Sequence, residues 1–160
     1  MKRFVSVAAL TALFLLVFAG PVAAAEVPFN GTLAGSFTAT NDPPPAINRD
    51  LDAVGQATLL GEFTYSFPHS VDRSVVPAVG VGYATFTAAN GDQVFAFVTG
   101  EATLIAPGVL SVVESGTIIG GTGRFAGATG SYDVERLIDT ANLTTVGEFE
   151  GTISVPTGKK

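Results

Sequence analysis

Few side chains in this sequence of 160 residues can do chemistry. It holds one histidine and no cysteine, so the nitrogen and sulfur clusters that bind zinc have nothing to form from. His69 stands in Pro68-His69-Ser70-Val71-Asp72-Arg73, which reads as a polar loop with a solvated imidazole. Asp133 and Glu135 share one strand face with Ser131 and belong to its wet side. Asn90-Gly91-Asp92 lacks the ligand spacing of a calcium loop. It reads as a hairpin turn, because Asn-Gly tolerates the positive φ that tight hairpins require.

One pair stands apart. Glu114 lies on the same parity as Val112, Gly116 and Ile118, and Arg136 on that of Tyr132, Val134 and Ile138. Placing Ile119 opposite Ser131 across the intervening turn pairs Ile118 with Tyr132, Gly116 with Val134, Glu114 with Arg136, and Val112 with Ile138. Both charges then face the interior, close enough for a charge-assisted contact. The functional reading is a polar anchor in a ligand cavity. The structural reading is an ion pair kept because neither charge can be buried alone. Glu114, Arg136, Tyr132 and Tyr65 are the candidate ligand-binding residues; no residue is assigned to catalysis, to a metal or to a cofactor.

The elements that position them are strands. No stretch beyond residue 25 keeps an apolar spacing of three and four, whereas alternation recurs throughout. Phe29 to Phe37 reads as a first strand and Val54 to Phe67 as a second, with a loop from Asn41-Asp42-Pro43-Pro44-Pro45 to about Leu51 between them. Val79 to Ala88 and Gln93 to Thr99 form a hairpin, with Gly100 bending the chain into a continuation through Ile105. Val109 to Ile119, Ser131 to Ile138 and Val146 to Val155 complete seven or eight strands. Sequential hairpins of this number predict a closed antiparallel β-barrel, with a β-sandwich as the alternative.

Between the last long hairpin strands lies Gly120-Gly-Thr-Gly-Arg-Phe-Ala-Gly-Ala-Thr-Gly130. Its glycines match a dinucleotide-binding pattern only superficially, since that motif needs a long helix after it and here a strand follows. Gly120, Gly121, Gly123, Phe125 and Gly130 are read as a structural turn with Phe125 pinned beneath it.

Composition bounds the setting. Lys2 and Arg3, an apolar run from Phe4 to Phe18, Gly20-Pro21 and Ala23-Ala24-Ala25 make a secretory signal peptide over residues 1–25, leaving one domain over 26–160. Loss of Lys2 and Arg3 takes the formal charge from −6 to −8, which disfavours nucleic acid and anionic lipid as partners. A secreted or periplasmic protein with no membrane span after cleavage is expected.

Ile118-Ile119-Gly120-Gly121-Thr122-Gly123-Arg124-Phe125, followed by Ala128-Thr129-Gly130-Ser131-Tyr132, resembles the glycine-rich signature shared by plant dirigent proteins and allene oxide cyclases. It looks most like bacterial exported proteins of the same barrel type. The resemblance extends from Val79 to Val155 and implies an eight-stranded antiparallel barrel, a lumen that takes a hydrophobic molecule, and a homo-oligomer. It carries over architecture and no catalytic residue. Two functions follow as expectations: a non-catalytic exported barrel that binds a small apolar or aromatic ligand or serves an envelope-associated structural role, and a dirigent-like or cyclase-like enzyme acting on a hydrophobic substrate in the lumen.

Overall fold

The structure is a computed structural model and describes residues 25–39 and 46–156. The expected signal peptide, apart from Ala25, and the Asn41 to Pro45 stretch lie outside the described residues. The strands are β1 (Glu26–Pro28), β2 (Gly31–Ala39), β3 (Ala46–Ala57), β4 (Gly61–Asp72), β5 (Ala78–Ala88), β6 (Gln93–Ala106), β7 (Val109–Gly121), β8 (Thr129–Asp139) and β9 (Thr144–Ser154). From β2 to β9 each strand pairs antiparallel with the next, and β9 pairs back onto β2. The sheet is therefore a closed barrel of eight strands rather than a sandwich. β1 continues the line of β2 along β9 in one register, Glu26 opposite Ser154 and Gly31 opposite Phe149.

Three local expectations are corrected. The single strand read from Val54 to Phe67 is two, because the chain reverses at Thr58-Leu59-Leu60 between β3 and β4. Leu59 carries φ +65 there and Gly61 φ +68. The turn is tied to the chain start by Thr58 Oγ1, which accepts from the Asn30 amide at 2.9 Å and donates to the Pro28 carbonyl at 2.9 Å. Those partners are distant in sequence, so no local turn signal announces the reversal. The end of the loop expected up to Leu51, from Ala46 on, and the expected polar loop from Pro68 as far as Asp72 are also strand, with Ala46 opposite Asp72 and Arg49 opposite His69. Pro68 is accommodated because its missing donor interrupts only part of one ladder: β4 and β5 pair on both sides of it, Ser66 with Thr85 and His69 with Gly82.

The third correction is the β7–β8 register. Gly116 faces Tyr132, Glu114 faces Val134 and Val112 faces Arg136, a slip of two residues from the expected pairing. The β7–β8 ladder begins at Ile118 opposite Gly130, so Ile119 lies beyond it rather than opposite Ser131; on its other side β7 carries a bulge against β6, where Ala96 pairs with Ile118 but Phe95 with Gly120. A slip of two preserves which face each side chain takes, so Glu114 and Arg136 still point inward. The glycine-rich segment is a turn as expected, with one 3-10 turn (Gly123–Phe125) and Phe125 buried beneath it. Gly123 has φ +55, and a Cβ there would collide with the Asp92 carboxylate.

One end of the lumen is filled with aromatic rings. Phe86 sits at the hub, 5.4 Å from Phe29, 5.5 Å from Phe63, 4.8 Å from Tyr65, 5.5 Å from Tyr132 and 5.4 Å from Phe149 between ring centroids. Room for Tyr132 comes from its neighbour across the ladder: a Cβ on Gly116 would lie 2.3 Å from the Tyr132 ring. Such interlocked rings contribute beyond the area they bury. Phe86→Ala should therefore cost about 3–5 kcal/mol of unfolding free energy in urea denaturation. Phe97→Ala, on the outer face, should cost much less; equal losses would show that the aromatic layer is not the core's centre.

Candidate ligand-binding site

Glu114 and Arg136 reach each other diagonally across β7 and β8. Arg136 Nε donates to Glu114 Oε2 at 2.9 Å and Nη2 to Oε1 at 2.6 Å, a bidentate pair with both residues about 95% buried (6% and 5% exposed). Arg136 Nη1 reaches Thr145 Oγ1 at 3.5 Å, and that hydroxyl donates to the Leu137 carbonyl at 2.7 Å. Burial opposes the charge on Arg136, yet hydrogen bonding to Glu114 and its negative charge raise the guanidinium pKa overall. Glycines on the flanking strands make space for both: a Cβ on Gly100 would lie 2.3 Å from Glu114 Cγ, and one on Gly147 2.4 Å from Arg136 Cβ.

The pair belongs to a polar layer around the lumen. Arg49 on β3 faces His69 on β4, His69 faces Gly82 on β5, and Gly100 on β6 faces Glu114. Arg49 holds its guanidinium 4.8 Å from the Phe37 ring centroid. His69 stacks on Phe67 at 4.3 Å, and its Nδ1 donates to the Phe67 carbonyl at 2.9 Å. Burial first, then Arg136 and Arg49, push the imidazole pKa below its usual value, against the opposing effects of that hydrogen bond and Glu114. The neutral ring thus leaves Nε2 as an acceptor.

Beyond this layer the lumen is hollow. A cavity of about 380 Å³ opens at the end opposite the aromatic layer, its polar lining formed by Arg49, His69, Arg73, Glu101, Glu114, Arg136 and Thr140 and its apolar lining by aliphatic side chains such as Val71, Leu110, Val112 and Ile138. Small residues create it: on β5 and β6 the inward positions are Ala78, Gly80, Gly100 and Ala102 at this end, but Phe86, Val94 and Val98 at the other. The volume lies in the range of small-molecule pockets.

Of the residues singled out from sequence, Glu114 and Arg136 wall the cavity. Tyr65 and Tyr132 are buried in the aromatic layer and do not line it. Burial, then their neighbours Tyr132 and Glu114, raise the Tyr65 pKa well above normal, and burial and Glu114 do the same for Tyr132. The Tyr132 hydroxyl has no hydrogen-bond partner; Tyr65 is its polar neighbour without a well-aligned bond between them. Arg49 and His69 were missed because both were assigned to loops. The available signal was parity: Ile47, Arg49, Leu51 and Ala53 alternate, as do Phe63, Tyr65, Phe67 and His69.

Since Glu114 and Arg136 satisfy each other, removing one strands the other in the interior. Arg136→Ala should cost about 3–5 kcal/mol in urea unfolding. Glu114→Leu combined with Arg136→Met should cost less than that single change. A double variant as unstable as Arg136→Ala would mean the ion pair is not what sustains these positions.

No family model matches the chain, and no curated protein matches it. Solved structures do. The pterocarpan synthase dirigent protein GePTS1 superposes with a TM-score of 0.60 at 11% identity, over 92% of this chain and 100% of that one. The pterocarpan synthase dirigent protein PsPTS1 gives 0.62 at 11% identity, over 85% of this chain and 99% of that one. With a closed eight-stranded antiparallel barrel and these neighbours, the chain has the dirigent-type barrel fold that its glycine-rich signature implied.

Proposed function

We propose that this chain is an exported, non-catalytic barrel that holds a small apolar or aromatic molecule in the hollow end of its lumen. The observation that carries the reading is the cavity itself: a pocket of about 380 Å³ with mainly aliphatic walls and a polar floor, in a barrel otherwise packed solid. A barrel that served only as a structural body has no need of the small residues at 78, 80 and 102. Export rests on the leader-like residues 1–25, and an extracellular or periplasmic setting follows from it.

Conversion of a hydrophobic substrate, as in a dirigent-like or cyclase-like enzyme, is the second reading. One feature favours it: the unprotonated Nε2 of His69 at the cavity wall, a group able to accept a proton from a bound hydroxyl. For assembly we propose a second copy of the chain as partner. Val81, Tyr83, Phe95, Phe97 and Ile119 lie together on the outer face of β5, β6 and β7, with Tyr83 62% exposed and 5.3 Å from Phe97. Such an outward apolar cluster is suited to an interface.

Gly80 offers the test, because a Cβ there meets no atom nearer than 3.9 Å, so a larger side chain enters the cavity without colliding at its root. A panel of small aromatic compounds, followed by amide shifts in NMR, should perturb Gly80, Gly100 and Ala102 in the wild type, and Gly80→Phe should abolish the response. Shifts that persist in the folded variant, or none in the wild type, would sink the cavity reading.

A further inference from the structure

The sequence carries eight Lys and Arg against fourteen Asp and Glu. Among the described residues the basic side chains are Arg49, Arg73, Arg124 and Arg136, and all but Arg124 wall the same cavity. Three of the four described cations of an acidic protein thus gather at one cavity.

The carboxylates at that site do not balance them. Glu114 is fully engaged by Arg136. Glu101 also lines the cavity, at its rim, but it lies on the outward parity of β6, is exposed and pairs with none of the three arginines, so three cations there face two carboxylates. Neither Arg49 nor Arg73 has a carboxylate within ion-pair distance among the described residues. Arg49 also buries Nη1 without a hydrogen-bond partner. Its pKa is lowered by burial and then by the charges of Arg73 and Arg136, the signature of positive charges crowded without a counter-charge. His69 is held neutral in the same wall and neither adds to nor offsets that excess.

We infer that the cavity takes a small organic monocarboxylate, its carboxylate held by Arg49 and Arg73 and its apolar body laid against Val71, Ala102, Leu110 and Val112. The inference rests on the cavity being a ligand site and names the chemistry of what fills it. Guanidinium groups match a carboxylate's two oxygens with paired donors. The aliphatic walls favour an anion with an apolar body over a fully hydrated inorganic one. The positions divide the work: Arg49 comes from the polar floor opposite His69, and Arg73, exposed just past the end of β4, comes from the rim.

The test compares 2-naphthoate with 2-naphthamide, equal in shape but differing in charge, by calorimetry at neutral pH and low salt. The wild type should bind the acid about 10-fold or more tighter than the amide, the factor expected of hydrogen bonds to a charged group. Arg49→Gln and Arg73→Gln should each weaken naphthoate while leaving naphthamide unchanged. Arg73 is exposed, so its variant tests the idea even where Arg49→Gln disturbs folding. Gly80→Phe should abolish both. Equal affinity for acid and amide in the wild type, or an unchanged ratio in Arg73→Gln and folded Arg49→Gln, overturns the anion inference while leaving the cavity reading intact. Binding of neither compound overturns both.

Discussion

Glu114 and Arg136 remain inside the barrel only together. An isolated charge at either position faces a desolvation cost of several kcal/mol, roughly, and their bidentate contact offsets it because the geometry satisfies both oxygens of the carboxylate. That requirement reaches into the neighbouring strands. Gly100 and Gly147 must lack side chains for the two to reach each other, and Thr145 must offer its hydroxyl to the remaining guanidinium nitrogen. The pair therefore fixes the local composition of β6 and β9 as well as that of its own strands.

This polar layer divides the lumen into halves of different character. On one side Phe29, Phe63, Phe86, Tyr132 and Phe149 interlock and the glycine-rich turn closes over Phe125. On the other, the same inward parity of β5 and β6 carries glycine and alanine, and space remains. A barrel of eight strands is just wide enough for either outcome, so side-chain volume and not topology decides whether it is a core or a container. The likeness to pterocarpan synthase dirigent proteins at 11% identity speaks to the topology alone. The character of the container is set by its lining side chains, Arg49, His69 and Arg73 among them.

How much of this was legible in the sequence depended on the range of each signal. Alternation is local, and it placed Glu114 and Arg136 on the inward face correctly even with the register wrong by two, because a shift of two residues leaves the face unchanged. The Asn90-Gly91-Asp92 turn was legible because its residue types impose their own backbone geometry, and Gly91 carries φ +88. The reversal at Leu59 was not, since its restraint comes from Thr58 binding Asn30 and Pro28. Reading Pro43-Pro44-Pro45 and the polar stretch after Pro68 as loops hid Arg49 and His69, and with them half of the polar layer.

By itself, then, the sequence determined an all-β fold of hairpin-linked strands, the inward parity of β7 and β8 and the burial of Phe125 beneath its glycines, all of which follow from short-range periodicity and backbone stereochemistry. Only the tertiary structure decided which residues share a cross-section of the lumen. That grouping draws on strands far apart in the chain, joined in part by a turn whose anchors are equally remote. Arg49, His69, Gly80, Gly100, Glu114 and Arg136 are scattered over nearly ninety positions, about two thirds of a domain of this ordinary size. Closure of the sheet makes them one site.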